Sequence, residues 1–101
     1  MPFVKVGTID ALPSGKVMEA EVGGNMYAIC NLGGELSAFE GVCPHAGGPL
    51  GQGNLDGNLL ICPWHGWEYD CRTGANDYDE SVKLAKYPVK IEGGDILIDV
   101  G

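Results

Sequence analysis

The chain has 101 residues, enough for one domain with a thin core, and its apolar share of 45% argues against disorder. Seventeen Gly and six Pro favour many tight turns over long helices. Fourteen acidic against six basic residues give a net charge of −8, which excludes nucleic acid as a partner because phosphate binding needs a basic footprint, and no run near 20 apolar residues offers a membrane-spanning helix.

In chain order, short runs alternate with turn signals, the pattern of an all-β domain. Phe3 to Val6 predicts a first strand, and Thr8 to Leu12 a helical turn with Thr8 as its cap, ended by Pro13-Ser14-Gly15. Lys16 to Val22 alternates, with Met18, Ala20 and Val22 on the more apolar face. Gly23-Gly24-Asn25 turns the chain into Met26 to Asn31, and Gly33-Gly34 turns it again into Glu35 to Phe39. Gly41 to Gly53 holds five Gly and two Pro in thirteen residues, which predicts a shaped loop. Asn58 to Cys62 is a short apolar strand, Pro63 to Gly66 a second loop, and Trp67 to Asp70 an alternating strand. Asn76 to Glu80 is an acidic loop, and Tyr87 to Glu92 with Asp95 to Val100 predicts a terminal hairpin across Gly93-Gly94. There is no internal repeat. The expected organisation is one domain over 1–101, a β-sandwich of antiparallel strands with a metal-binding subdomain inserted at about 41–70.

Chemistry concentrates in two segments, Cys43-Pro44-His45 and Cys62-Pro63-Trp64-His65. They form a C-x-H and a C-x-x-H pair sixteen residues apart, and they contain both His of the chain. Two loops of this kind can face each other, each offering one thiolate and one imidazole. Thiolate suits iron–sulfur clusters and zinc alike, and imidazole suits both metals, so ligand type alone leaves the two open. Structural zinc sites generally use C-x2–4-C or H-x3–5-H pairs, whereas the mixed pairs here have the ligand order of a Rieske centre. Cys30 alternates with Met26 and Ala28 on one strand face and Cys71 begins a turn; both read as structural thiols. A Cys30–Cys71 disulfide would need an oxidising compartment, and the first ten residues lack the basic-then-apolar pattern of a secretory signal. The expected location is the cytoplasm, without membrane attachment.

The run Cys43-Pro44-His45-Ala46-Gly47-Gly48-Pro49-Leu50, followed by Cys62-Pro63-Trp64-His65-Gly66-Trp67-Glu68-Tyr69-Asp70, resembles the Rieske [2Fe-2S] family, and the likeness to its small soluble ferredoxins covers nearly the whole chain. The resemblance implies a Rieske-type β-sandwich and one [2Fe–2S] cluster per chain, with Cys43 and Cys62 on one iron and His45 and His65 on the other. Rieske proteins of cytochrome bc complexes carry a disulfide between the cluster loops; the corresponding positions here are Gly48 and Trp64, which excludes it. Those proteins also place a Ser, bonded to a cluster sulfur, where this chain has Trp67, while Tyr69 matches their Tyr. With one hydrogen-bond donor missing, the expected potential lies at the low end of the Rieske range, about −150 to 0 mV.

The segment His65 to Tyr69 is similar to the Rieske domain of ring-hydroxylating oxygenases, but no His remains for the mononuclear iron those enzymes also need. The chain also has no evident nucleophile–base pair and no phosphate-cradling loop. It is expected to be no enzyme itself but a monomeric one-electron carrier, a ferredoxin between a flavin-dependent reductase and a terminal oxygenase. Two alternatives stand beside this: the small Rieske subunit of a nitrite reductase-like complex, and a structural zinc module. Gly47, Gly48 and Gly66 are expected to let backbone amides approach the cluster, Trp64 and Trp67 to shield it from water, and, outside the motif, acidic Asp77, Asp79 and Glu80 to steer a basic partner; the plainer readings are turn geometry, core packing and a solvated loop.

Overall fold

Paired glycines set the architecture by closing three hairpins with two-residue turns. The computed structural model describes residues 3–43, 47–64, 66–76, 79 and 81–100. Its ten strands are β1 (Val4–Thr8), β2 (Lys16–Val22), β3 (Asn25–Leu32), β4 (Glu35–Glu40), β5 (Asn54–Asp56), β6 (Leu59–Ile61), β7 (Glu68–Asp70), β8 (Lys86–Tyr87), β9 (Val89–Glu92) and β10 (Asp95–Ile98). Gly23-Gly24, Gly33-Gly34 and Gly93-Gly94 all have positive φ, the conformation such hairpin turns require and only glycine adopts without strain. They join β2 to β3, β3 to β4 and β9 to β10.

Among the described residues all strand pairs are antiparallel, in three sheets of order β1-β10-β9, β2-β3-β4-β8 and β5-β6-β7. The four-stranded sheet is the middle layer, because successive side chains of β3 and β4 point to opposite faces. Tyr27, Ile29 and Ala38 pack with Ile96, Ile98 and Leu12 on one face. Ala28, Cys30 and Phe39 pack with Leu50, Leu60 and Tyr69 on the other. Cys30 thus shares a face with Ala28, as the alternation predicts. Asn31 is also buried; its amide donates to the Leu12 carbonyl at 2.8 Å and accepts from the Gly34 N–H at 2.8 Å, so its polar groups are satisfied.

Three local expectations change. Ile9–Ala11 is a 3-10 turn, and Thr8 precedes it without a side-chain cap. Within the loop expected from Gly41 to Gly53, Leu50–Gln52 is a 3-10 turn, and Asn54–Asp56, for which the sequence predicts no element, forms strand β5, three residues too short to show an alternation. The expected strand from Tyr87 to Glu92 is cut in two by Pro88, which has no N–H for a ladder. Lys86–Tyr87 pairs with β4 in the middle sheet, and Val89–Glu92 pairs with β10 in another.

Candidate metal centre

The predicted ligands Cys43 and Cys62 sit on two loops that leave the middle and third sheets. The first loop leaves β4 at Gly41, whose N–H donates to the Met26 carbonyl at 2.8 Å. A bridge between Val42 and Pro49 closes its base. Above that bridge, the Cys43 N–H donates to the Gly48 carbonyl at 2.9 Å and the Gly47 N–H to the Cys43 carbonyl at 2.7 Å. Its returning leg is held to the middle sheet, where the Gln52 amide donates to the Glu19 carboxylate at 3.2 Å. The second loop leaves β6 and is closed by the Cys62 N–H donating to the Trp67 carbonyl at 2.8 Å.

Cys43 and Cys62 are both 1% exposed, and their thiols are hydrogen-bond neighbours. Burial pushes the Cys62 thiol up, and the adjacent Cys43 adds to this, since two thiolates side by side repel. A cation or metal cluster removes that penalty by drawing both sulfurs into the thiolate form. The Tyr69 hydroxyl lies 3.2 Å from the Cys43 sulfur. Burial and this neighbour raise the phenol well above its ordinary range, so Tyr69 stays neutral and is a donor once Cys43 is a thiolate. At Gly48 an added Cβ would stand 2.9 Å from both the Cys62 sulfur and the Trp64 ring. Glycine there is a requirement of close approach. Gly47 and Gly66 have φ of 75° and 71° with open space around them, so for these two the requirement lies in the backbone.

Two of the four predicted ligands are therefore together. His45 and His65, with Pro44 and Ala46, lie outside the described residues, as do Asp77 and Glu80 of the acidic loop. Among the described residues no group of three or more metal-ligating side chains assembles. The donor chemistry fits the thiolate end of a [2Fe–2S] cluster: two adjacent buried sulfurs from separate loops, one hydrogen-bond donor on a sulfur, and no side chain between Gly48 and the other. Trp67 packs partly buried against the same core, whereas Trp64 is 50% exposed and turns outward. Cys30 and Cys71 are buried free thiols beside each other in the core; the bond with Cys71 and burial keep Cys30 protonated. Sequence reasoning missed the wall formed by Glu40, Val42 and Tyr87 next to the first loop, which no motif marks because it is assembled from the end of β4, the loop that follows it and the end of β8.

The family model of the Rieske [2Fe-2S] domain matches residues 2–88, and the chain belongs to that family. Its cofactor is a [2Fe–2S] cluster. The ferredoxin component of biphenyl 2,3-dioxygenase from Rhodococcus jostii is 33% identical over 101 residues, covering 99% of this chain and 94% of the relative. Among solved structures, the ferredoxin of carbazole 1,9a-dioxygenase from Nocardioides aromaticivorans superposes with a TM-score of 0.86 at 28% identity, covering 97% of each chain. A chain in the complex of reduced oxygenase and oxidized ferredoxin of carbazole 1,9a-dioxygenase matches with a TM-score of 0.84 at 26% identity, over 95% of this chain and 91% of that one. Within the family, then, the chain is a ferredoxin, an electron carrier and not the catalytic component of an oxygenase system. Among the described residues no helix is long and apolar enough to cross a membrane.

Proposed function

We propose that this chain passes single electrons from a flavin-dependent reductase to a terminal oxygenase, using a cluster held by Cys43 and Cys62 on one iron and His45 and His65 on the other. The observation that carries this is the buried Cys43–Cys62 pair with the Tyr69 hydroxyl at 3.2 Å from the Cys43 sulfur. The names of the matched ferredoxin and ferredoxin–oxygenase structures support the oxygenase partner. When bound, the cluster supplies a one-electron couple.

The residues around it set how that couple works. The Tyr69 hydroxyl, donating to the Cys43 sulfur, stabilises the more negative, reduced state. Trp67 and the apolar core beneath it keep water from the thiolate end. His45 and His65 complete the proposed ligand set, and on the two loops Val42, 46% exposed, and Trp64, 50% exposed, offer an apolar contact to a partner. Such contacts are small and transient. In this reading the whole of 1–101 is a single Rieske domain, 41–70 is its cluster-binding subdomain, and it works as a monomer in the cytoplasm.

The test is anaerobic isolation followed by metal analysis and spectroscopy. Two irons and two acid-labile sulfides per chain, with an EPR signal that appears on reduction, are expected. His45→Ala and His65→Ala should each abolish that signal while the chain stays folded by circular dichroism. A colourless protein with one zinc would end this reading.

A further inference from the structure

A cavity of about 310 Å³ opens beside the first cluster loop, lined by Asn25, Met26, Tyr27, Glu40, Gly41, Val42 and Tyr87. It lies at the small end of the range for ligand sites. Tyr27 and Tyr87 form part of its wall as a perpendicular pair with ring centroids 5.2 Å apart. Burial, with Tyr27 and Glu40 nearby, raises the Tyr87 phenol, so that ring stays uncharged. Glu40 brings a carboxylate to the same cavity, and one of its oxygens accepts from the Ala85 N–H at 2.6 Å. Among the described residues that is the side-chain hydrogen bond Glu40 makes. The ion pairs among the described residues, Lys5–Asp95 and Lys90–Glu92, do not involve Glu40. Lys86, next to Tyr87, donates instead to the Arg72 carbonyl. The described lining thus holds one negative charge, two aromatic rings and the Asn25 amide, and among the described residues no cation, in a chain of net charge −8.

We propose that this cavity receives an arginine side chain of the protein partner, which anchors that partner beside the cluster loop. A planar guanidinium matches the wall better than an ammonium, because it stacks on aromatic rings and donates in two directions at once, here to Glu40 and to Asn25. Val42 forms the rim and directly precedes Cys43, so an arginine seated here fixes the partner's register against the electron exit. The inference rests on the proposed reading that a protein partner takes the electron.

The probe is a set of blocked tripeptides, acetyl-Gly-Arg-Gly-amide and its citrulline and lysine counterparts, titrated into holoprotein carrying 13C-labelled tyrosine. The Tyr27 and Tyr87 resonances should shift and saturate with the arginine peptide, stay still with the citrulline peptide, and bind the lysine peptide more weakly. Glu40→Gln keeps an acceptor for the Ala85 N–H and should weaken binding at least tenfold. Asn25→Ala, at an exposed turn position, should weaken it about threefold, and Glu35→Gln, at the other end of the same strand, should leave it unchanged. No saturable shift with the arginine peptide, equal binding of the lysine or citrulline peptide, or an unaffected Glu40→Gln would each overturn the proposal. Iron and labile sulfide measured in the same samples report separately on the electron-carrier reading.

Discussion

At the scale of single residues, Tyr69 and Gly48 each act on a different one of the two sulfurs. The Tyr69 hydroxyl, 3.2 Å from the Cys43 sulfur, favours the reduced state because a hydrogen bond to sulfur strengthens as negative charge accumulates. Tyr69→Phe removes this donor without changing the ring. If the differential bond strength is on the order of 1 kcal/mol, the midpoint potential should fall by roughly 30–60 mV in a redox titration. Gly48 acts through space: a Cβ there would stand 2.9 Å from the Cys62 sulfur. Gly48→Ala should therefore lower cluster content, measured as iron and labile sulfide per chain, well below that of the parent protein. An equal content in the variant would mean that Cys62 and Trp64 can move aside without loss.

At the scale of elements, the middle sheet divides the molecule into a supporting side and a working side. Ile29 on β3 is fully buried toward β10, and Leu60 on β6 is fully buried toward the cysteines. Truncating either to Ala leaves a core cavity, with an expected cost of about 2–5 kcal/mol. The two variants should differ in what else they change. Ile29→Ala should lower the denaturation midpoint while the folded fraction keeps its full visible spectrum. Leu60→Ala lies in the same cluster as Cys43, Cys62 and Tyr69 and should also shift or weaken that spectrum. Pro88 is the element-scale device that hands the chain from one sheet to the other, since its missing N–H ends the β8 ladder after Tyr87.

At the scale of the whole molecule, the cluster and the fold stabilise each other. Cys43 and Cys62 belong to the same apolar core as Phe39, Leu50, Leu60 and Tyr69. Without metal, two buried thiols are left with each other as neighbours, and the loops lose the ligand bonds that join them. Removing the iron with a chelator under reducing conditions should lower the thermal midpoint by about 10 °C or more, for a loss on the order of 2 kcal/mol in a domain of this size. An unchanged midpoint by calorimetry would show that the sandwich folds independently of its cofactor. The net charge of −8 predicts a second global effect: electron transfer to a basic acceptor should slow as salt rises, because screening weakens long-range attraction.

The all-β character, the hairpins at paired glycines and the two cysteines that the structure brings together, Cys43 and Cys62, were legible in the sequence, because period-two alternation, turn chemistry and ligand spacing are local properties of the chain. Local patterns also placed Cys30 on a buried face, where the structure finds it as a free thiol beside Cys71. Other features were decided only by tertiary contacts. Strand β5 is too short to carry a pattern, Trp64 turns outward rather than over the core, and Gly48 must lack a side chain because a sulfur from a distant loop occupies that space. The cavity beside Val42 likewise exists only where the ends of β3, β4 and β8 meet. Spacing along a chain can name the groups that would grip a metal, but which atoms crowd, hydrogen-bond or shield them depends on segments many residues apart.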